Sequence, residues 1–196
     1  MKTKILKLSL LALFIFTASC SSDDDKNEVI PVVTTKVSNL DASGTEYTKF
    51  SFSENKVVTT DNWDIAFNKT TIIVNGGVKK ADAEPNRTGS GAVSIVSGTF
   101  GSVTLFPAAS TFVQDGTAAY AIPTGSGNGW YSYNATTHII SPIAGKVFVV
   151  KTRDGKYAKF EILSYYKDAP ATPELTSVSG FYTFNFAYQA NSTTTF

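Results

Sequence analysis

Apolar and polar residues alternate with a period of two along much of the chain after residue 33, the spacing of strands that bury one face. The plainest instance is "FYTFNFAYQ", with Tyr182, Phe184, Phe186 and Tyr188 on one side and Thr183, Asn185 and Gln189 on the other. Further strands are predicted in "YTKFSFS" with Tyr47, in "NWDIAF" with Trp63, Ile65 and Phe67 alternating, in "TTIIVN" before Gly76-Gly77, in "AVSIVS" and in "SVTLF". The run "KVFVVKTRDGKYAKFEIL" predicts a hairpin, because Asp154-Gly155 supplies the positive φ values of a two-residue type I′ turn. That loop sets Val149 against Phe160 and Val147 against Ile162. Val147, Val149, Ala158, Phe160 and Ile162 then share the buried face, and Lys159 and Glu161 take the other. No window of a dozen residues repeats apolar positions at helical spacing, and no constant-period repeat is present. The expected fold is all-β, a single antiparallel β-sheet-rich domain over residues 34–196.

The first 20 residues, "MKTKILKLSLLALFIFTASC", follow a different rule. Lys2, Lys4 and Lys7 precede an apolar run from Leu8 to Phe16, which is far short of the roughly 20 residues that cross a bilayer and matches a secretory signal. Ala18 and Ser19 before Cys20 resemble a bacterial lipobox, in which the thiol is acylated and the chain is cut just before it. The alternative is an ordinary signal peptide with a chance cysteine. Residues 1–19 are therefore expected to be a lipoprotein signal peptide, and 20–33 the lipidated Cys20 with a flexible acidic tether. Three lipid chains, at ~0.8 kcal/mol per buried methylene, anchor a protein without spanning the membrane. The acidic "SSDDDK" behind Cys20 resembles the export signal of surface-displayed lipoproteins, so the expected location is the outer membrane, exposed on the cell surface; a merely solvated tether is the alternative.

Charge and composition narrow the chemistry. The formal charge of +1 turns negative once the three leader lysines are gone, which leaves no electrostatic footprint for nucleic acid. One cysteine excludes an internal disulfide, and one histidine with no second thiol leaves only carboxylates to complete a zinc shell. A serine triad would have to recruit His138, near which no nucleophile elbow stands, and no spacing singles out a carboxylate pair from Asp64, Glu161 or their like. A binding protein rather than an enzyme is expected. "GSGNG", residues 125–129, reads as a turn and not as a phosphate loop, because the strand-like Trp130-Tyr131-Ser132-Tyr133 follows it where a helix would be needed. Those aromatics offer a sugar-stacking platform or, more commonly, a strand burying its rings.

Three segments together resemble the HmuY-type haem-binding lipoproteins, which collect haem outside the cell and pass it to an outer-membrane receptor. They are "NWDIAFNKTTIIVNGG" with the following "RTGSGAV", the hairpin "KVFVVKTRDGKYAKFEILSYY", and the closing strand "GFYTFNFAYQ"; with "YTKFSFS" they span most of residues 45–190. The resemblance implies an all-β fold, haem or another porphyrin held between protruding loops, iron acquisition as the task, and a TonB-dependent receptor as partner. The familiar ligands are missing. The resemblance puts the second family histidine near Asn134 or Ala135 and the first between Phe106 and Trp130, where there is none, and the methionine used by other members has no counterpart but Met1. His138 is the sole imidazole, and Tyr120, Tyr131 and Tyr133 lie in the same segment, so the candidate haem-binding residues are His138, Tyr131, Tyr133 and Tyr120. The simpler alternative is that His138 merely begins the strand "HIISP". A glycan- or protein-binding surface module using the loops near residues 107–137, with no haem, is the rival to the haem reading.

Overall fold

The computed structural model describes residues 32–191 and 195–196, so the expected signal segment, Cys20 and nearly all of the tether lie outside the described residues. The chain is all-β, as its alternation predicts. Its strands are β1 (Thr34–Asp41), β2 (Thr48–Ser51), β3 (Lys56–Val58), β4 (Ile65–Asn68), β5 (Thr71–Val74), β6 (Ala92–Ser97), β7 (Tyr131–Asn134), β8 (Ile139–Pro142), β9 (Lys146–Lys151), β10 (Tyr157–Tyr166) and β11 (Ser179–Gln189). They form a five-stranded sheet in the order β1-β11-β10-β9-β6, a four-stranded sheet β3-β2-β4-β5, and the separate hairpin β7-β8. All paired strands run antiparallel.

The main core is where the two larger sheets face each other. Phe50, Phe52 and Phe67 from one sheet meet Phe148, Phe160, Phe184 and Phe186 from the other. Phe50 stands edge-on to Phe184 at 5.4 Å and to Phe186 at 5.7 Å, the geometry that ring quadrupoles favour. Outer faces are covered too. Trp63, Ala66, Ile73 and Val58 pack under Tyr47 and Tyr120 on the four-stranded sheet, and Val103, Val147 and Val149 pack under Phe100, Phe112 and Phe196 on the five-stranded one.

That second covering corrects the predicted register of the β9–β10 hairpin. Lys159 pairs with Val149 and Phe160 with Phe148, one residue away from the sequence expectation. The loop has three residues, not two: Thr152 N–H donates to Lys156 O (2.8 Å), Gly155 N–H donates to Thr152 O (3.0 Å), and Gly155 takes a φ of +83°. Slipping by one residue turns a strand over. Phe148 and Val150 therefore join Ala158, Phe160 and Ile162 in the main core, while Val147, Val149 and Lys159 face the outer cluster. Alternation alone was ambiguous here, because β9 is buried on both faces.

"SVTLF" is not a strand. Ser102 closes a turn on Thr99, Pro107 follows, and Leu105 makes a single bridge to Thr195, so this segment lies across the five-stranded sheet as a cover that buries Val103. Two strands escaped the sequence reading. In β1 only Val37 and Leu40 are large and apolar, and a bulge between them breaks the alternation; β3 has three residues. The Gly76-Gly77 pair after β5 is forced by crowding: a Cβ on Gly76 would lie 1.9 Å from Gly91 O, and Gly77, at φ +80°, would put one 1.9 Å from Asp115 O. Every described strand lies between Thr34 and Gln189, so a chain that starts at residue 26 keeps the whole sandwich and its core clusters.

Candidate functional site

The β7–β8 hairpin stands apart from both larger sheets, paired from Tyr131–Pro142 to Asn134–Ile139. Asn134 shapes its tip, with its Oδ1 accepting the N–H groups of Thr136 (2.9 Å) and Thr137 (3.1 Å) in the local turn that Asn side chains favour. His138 closes the tip with a φ of +58°, a left-handed conformation in which histidine is among the enriched types. It precedes strand "IISP" rather than opening it. Its side chain is exposed, and its Nδ1 lies 2.6 Å from the Tyr133 hydroxyl across the hairpin. The pair is the notable contact among the sequence-predicted residues.

Beneath the pair the hairpin is fastened to the sandwich through rings. Trp130 is buried, donates Nε1–H to Thr70 O (2.8 Å), and packs against Tyr131, Tyr165 and Tyr182 at 4.9, 5.4 and 5.2 Å. Such a ring has no face to offer a sugar, so the stacking-platform reading of Trp130 is replaced by a structural one. Tyr131 is half-buried against the main core. Burial pushes the Tyr165 phenol up to about 12 and Tyr182 well above its ordinary range, so both stay neutral; Tyr182 donates its proton to Lys69 O (2.7 Å). Tyr166 accepts Ile140 N–H at 2.9 Å, tying β8 to the end of β10.

The "GSGNG" loop folds along the free side of β7. Ser126 Oγ accepts Tyr133 N–H (2.8 Å), Gly127 N–H donates to Tyr131 O (2.8 Å), and Lys146 Nζ holds the carbonyls of Asn128 (3.2 Å) and Gly129 (2.6 Å). Tyr120 sits elsewhere. Its hydroxyl donates to Glu84 Oε1 (2.6 Å) in the cluster over Trp63, and burial and that carboxylate raise its pKa far above the ordinary phenol value. The structure thus brings Tyr133 and His138 together, places Tyr131 beneath them, and puts Tyr120 in a different cluster.

Two polar centres were missed by sequence reading. Arg87 bridges Glu84 (2.7 Å) and Asp115 (2.9 Å), all three side chains almost fully buried. Burial works to raise the Glu84 carboxyl, but hydrogen bonds from Tyr120, the Lys80 N–H and Arg87 hold it below its usual value; at Asp115 burial prevails and the pKa rises. Asp115 also accepts the N–H groups of Val74 and Ala121, which fixes the loop carrying Tyr120 to β5. The second centre is Asp64, whose oxygens accept Phe52 N–H (2.8 Å) and Arg153 N–H (3.1 Å) and so join the two sheets at the β9–β10 loop. Among the described residues no group of three or more His, Cys, Asp or Glu side chains converges as a metal site, and no helix is long and apolar enough to cross a membrane.

The all-β sandwich with its separate β7–β8 hairpin is the scaffold that comparison with known proteins names. The family model "HmuY protein" matches residues 43–186, and the chain belongs to that family. Among solved structures, the apo HmuY analogue of Tannerella forsythia superposes with a TM-score of 0.55 at 17% identity, covering 83% of this chain and 99% of that one. A candidate HmuY-like haem-binding protein from Bacteroides vulgatus gives 0.49 at 19% identity over 81% and 92% of the two chains. A candidate lipoprotein from Bacteroides fragilis gives 0.49 at 18% identity over 85% and 94%. No curated protein matches the chain significantly.

Proposed function

We propose that this chain captures an iron porphyrin of the haem type at the β7–β8 hairpin, with His138 as the axial ligand and Tyr133 as the residue that positions it. One observation carries the reading: His138 Nδ1 is engaged by the Tyr133 hydroxyl at 2.6 Å on an exposed turn, and this contact leaves Nε2 uninvolved. Ligating histidines commonly have their second ring nitrogen fixed by such a partner, which sets the ring orientation and tautomer. The fit is that of a one-sided grip. Haem is held by one or two axial side chains, so it needs no multidentate cluster. Membership of the HmuY family, matched over residues 43–186, supports the same ligand class.

Membrane attachment belongs to the same proposal. β1 begins at Thr34 beside Ala187, level with Lys159, while β8 is tied to Tyr166 at the other end of β10. An acylated Cys20 would therefore tether the end of the five-stranded sheet away from the hairpin. His138 would face outward, toward haem and a TonB-dependent receptor in the outer membrane.

The test is a haemin titration of tag-free residues 26–196. The wild type is expected to sharpen and shift the Soret band, His138→Ala to leave the spectrum of free haemin, and Tyr133→Phe to bind with affinity lowered about tenfold. Equal binding by wild type and His138→Ala would contradict the assignment of the ligand; no spectral change in either redox state would remove haem and return the glycan- or protein-binding alternative.

A further inference from the structure

β9 and β10 carry three lysines, and two of them have their ammonium groups occupied. Lys146 Nζ holds the carbonyls of Asn128 and Gly129, and Lys159 Nζ holds those of Phe100 (2.9 Å) and Val103 (2.7 Å). Lys151 is different. It is half-buried at the end of β9, yet among the described residues its ammonium makes no hydrogen bond or ion pair. A charge drawn partly out of water gains from a counter-charge, so an unpaired one that lines a concave site marks a place for an anion.

The site is concave. Ala92 pairs with Lys151 and Lys151 with Tyr157, so the three form one cross-strand row at the end of the five-stranded sheet, on the face that also carries Val149. The antiparallel bridge between Val93 and Val113, with N–H···O distances of 2.8 and 2.9 Å, sets Gln114 level with Ala92. The single methyl of Ala92 leaves the row sunken, and Phe112 and Ser90 complete a cavity of about 360 Å³. That volume is at the lower end of small-ligand cavities, roughly 300–1,000 Å³. Its walls are held before any ligand arrives. Phe106 stacks on Tyr157 at 4.2 Å, Phe112 stands edge-on to Tyr157 at 5.7 Å, Gln114 Nε2 donates to Gly91 O (3.2 Å), and Ser90 Oγ donates to Arg153 O (3.3 Å). Groups fixed in advance cost less to order on binding.

The lining combines two aromatic rings, an amide, a hydroxyl and one cation. An aliphatic chain would leave the ammonium and the amide without partners, and a polyphosphate would bring more negative charge than one lysine answers. A sugar ring carrying one carboxylate matches each part. Its C–H face packs on Tyr157 and Phe112, its hydroxyls exchange hydrogen bonds with Gln114 and Ser90, and its carboxylate accepts from the Lys151 ammonium. We infer that this slot binds an acidic sugar residue of a glycan. It lies at the Tyr157 end of β10, whereas the β7–β8 hairpin is tied to Tyr166 at the other end, so it stands independently of the haem reading.

The experiment follows the amide signals of tag-free residues 26–196 by nuclear magnetic resonance during titration with methyl glucuronide, methyl glucoside and acetate, which supply ring and charge, ring alone and charge alone. The expected result is a saturable shift of the Ala92, Lys151 and Tyr157 signals by methyl glucuronide, with half-saturation about tenfold lower than with either partial ligand. Lys151→Gln should erase the preference for glucuronide over glucoside while its amide spectrum shows the fold retained. Ala92→Val, which raises the floor, should weaken both sugars alike. Acetate binding as tightly as methyl glucuronide overturns the sugar. Equal half-saturation by the two sugars, or a glucuronide preference that survives Lys151→Gln, overturns the acidic class, and unmoved signals at these amides with all three overturn the site. Each of these outcomes leaves the haem reading standing, since the Soret titration reports on that separately.

Discussion

At the scale of single residues, Asp64 is the group whose chemistry most departs from the ordinary. Its carboxyl is 2% exposed, and burial, only partly offset by the hydrogen bonds from Phe52 and Arg153, pushes its pKa up to about 6. A folded-state pKa above the unfolded value means that the native chain holds this proton more tightly. The associated stability is fully present below about pH 4 and is lost as the pH rises through about 6. At about 1.4 kcal/mol per pKa unit the change is on the order of 2–3 kcal/mol. Urea unfolding at pH 4 and pH 7 checks it: the stability of wild type minus that of Asp64→Asn should fall by roughly that amount over the interval, and a flat difference would refute the shift. None of this was visible beforehand. Asp64 gains its meaning from Arg153, 89 residues later, just as Asp115 gains its meaning from Arg87. Contacts across such separations leave no periodic trace in a sequence.

At the scale of elements, what could be read depended on whether a strand's two faces differ in polarity. β11 was legible because Tyr182, Phe184 and Phe186 enter one core while the reverse face, though buried at Thr183 and Gln189, carries polar side chains there and at Asn185. In β9, Phe148 and Val149 belong to opposite clusters, so pattern could not choose the register and the Asp-Gly turn was read one residue short. The candidate hairpin was half legible. Tyr133 and His138 were both singled out, but their contact requires recognising Asn134 as the start of the turn that folds one back on the other. Trp130 is the fastening of this element. Trp130→Ala should cost about 3–5 kcal/mol of unfolding free energy, and Trp130→Phe, which keeps a ring but loses the donor to Thr70 O, about 1–2 kcal/mol. Equilibrium denaturation measures both. A cost below about 0.5 kcal/mol for the alanine variant would mean that the ring is not structural.

At the scale of the molecule, two sheets pack through phenylalanines, and one small hairpin presents the exposed Tyr133–His138 pair at the end away from Thr34. A fold of this kind leaves ligand choice to its loops, which is why family membership was readable from strand segments while a ligand site was not. The single histidine makes the central claim unusually direct to measure. In tag-free residues 26–196 labelled with [15N]histidine, one imidazole gives the whole side-chain signal by nuclear magnetic resonance. If His138 takes the iron, adding haemin should broaden that signal beyond detection, and the diamagnetic gallium porphyrin should instead shift it. A signal unmoved by either porphyrin would contradict the account.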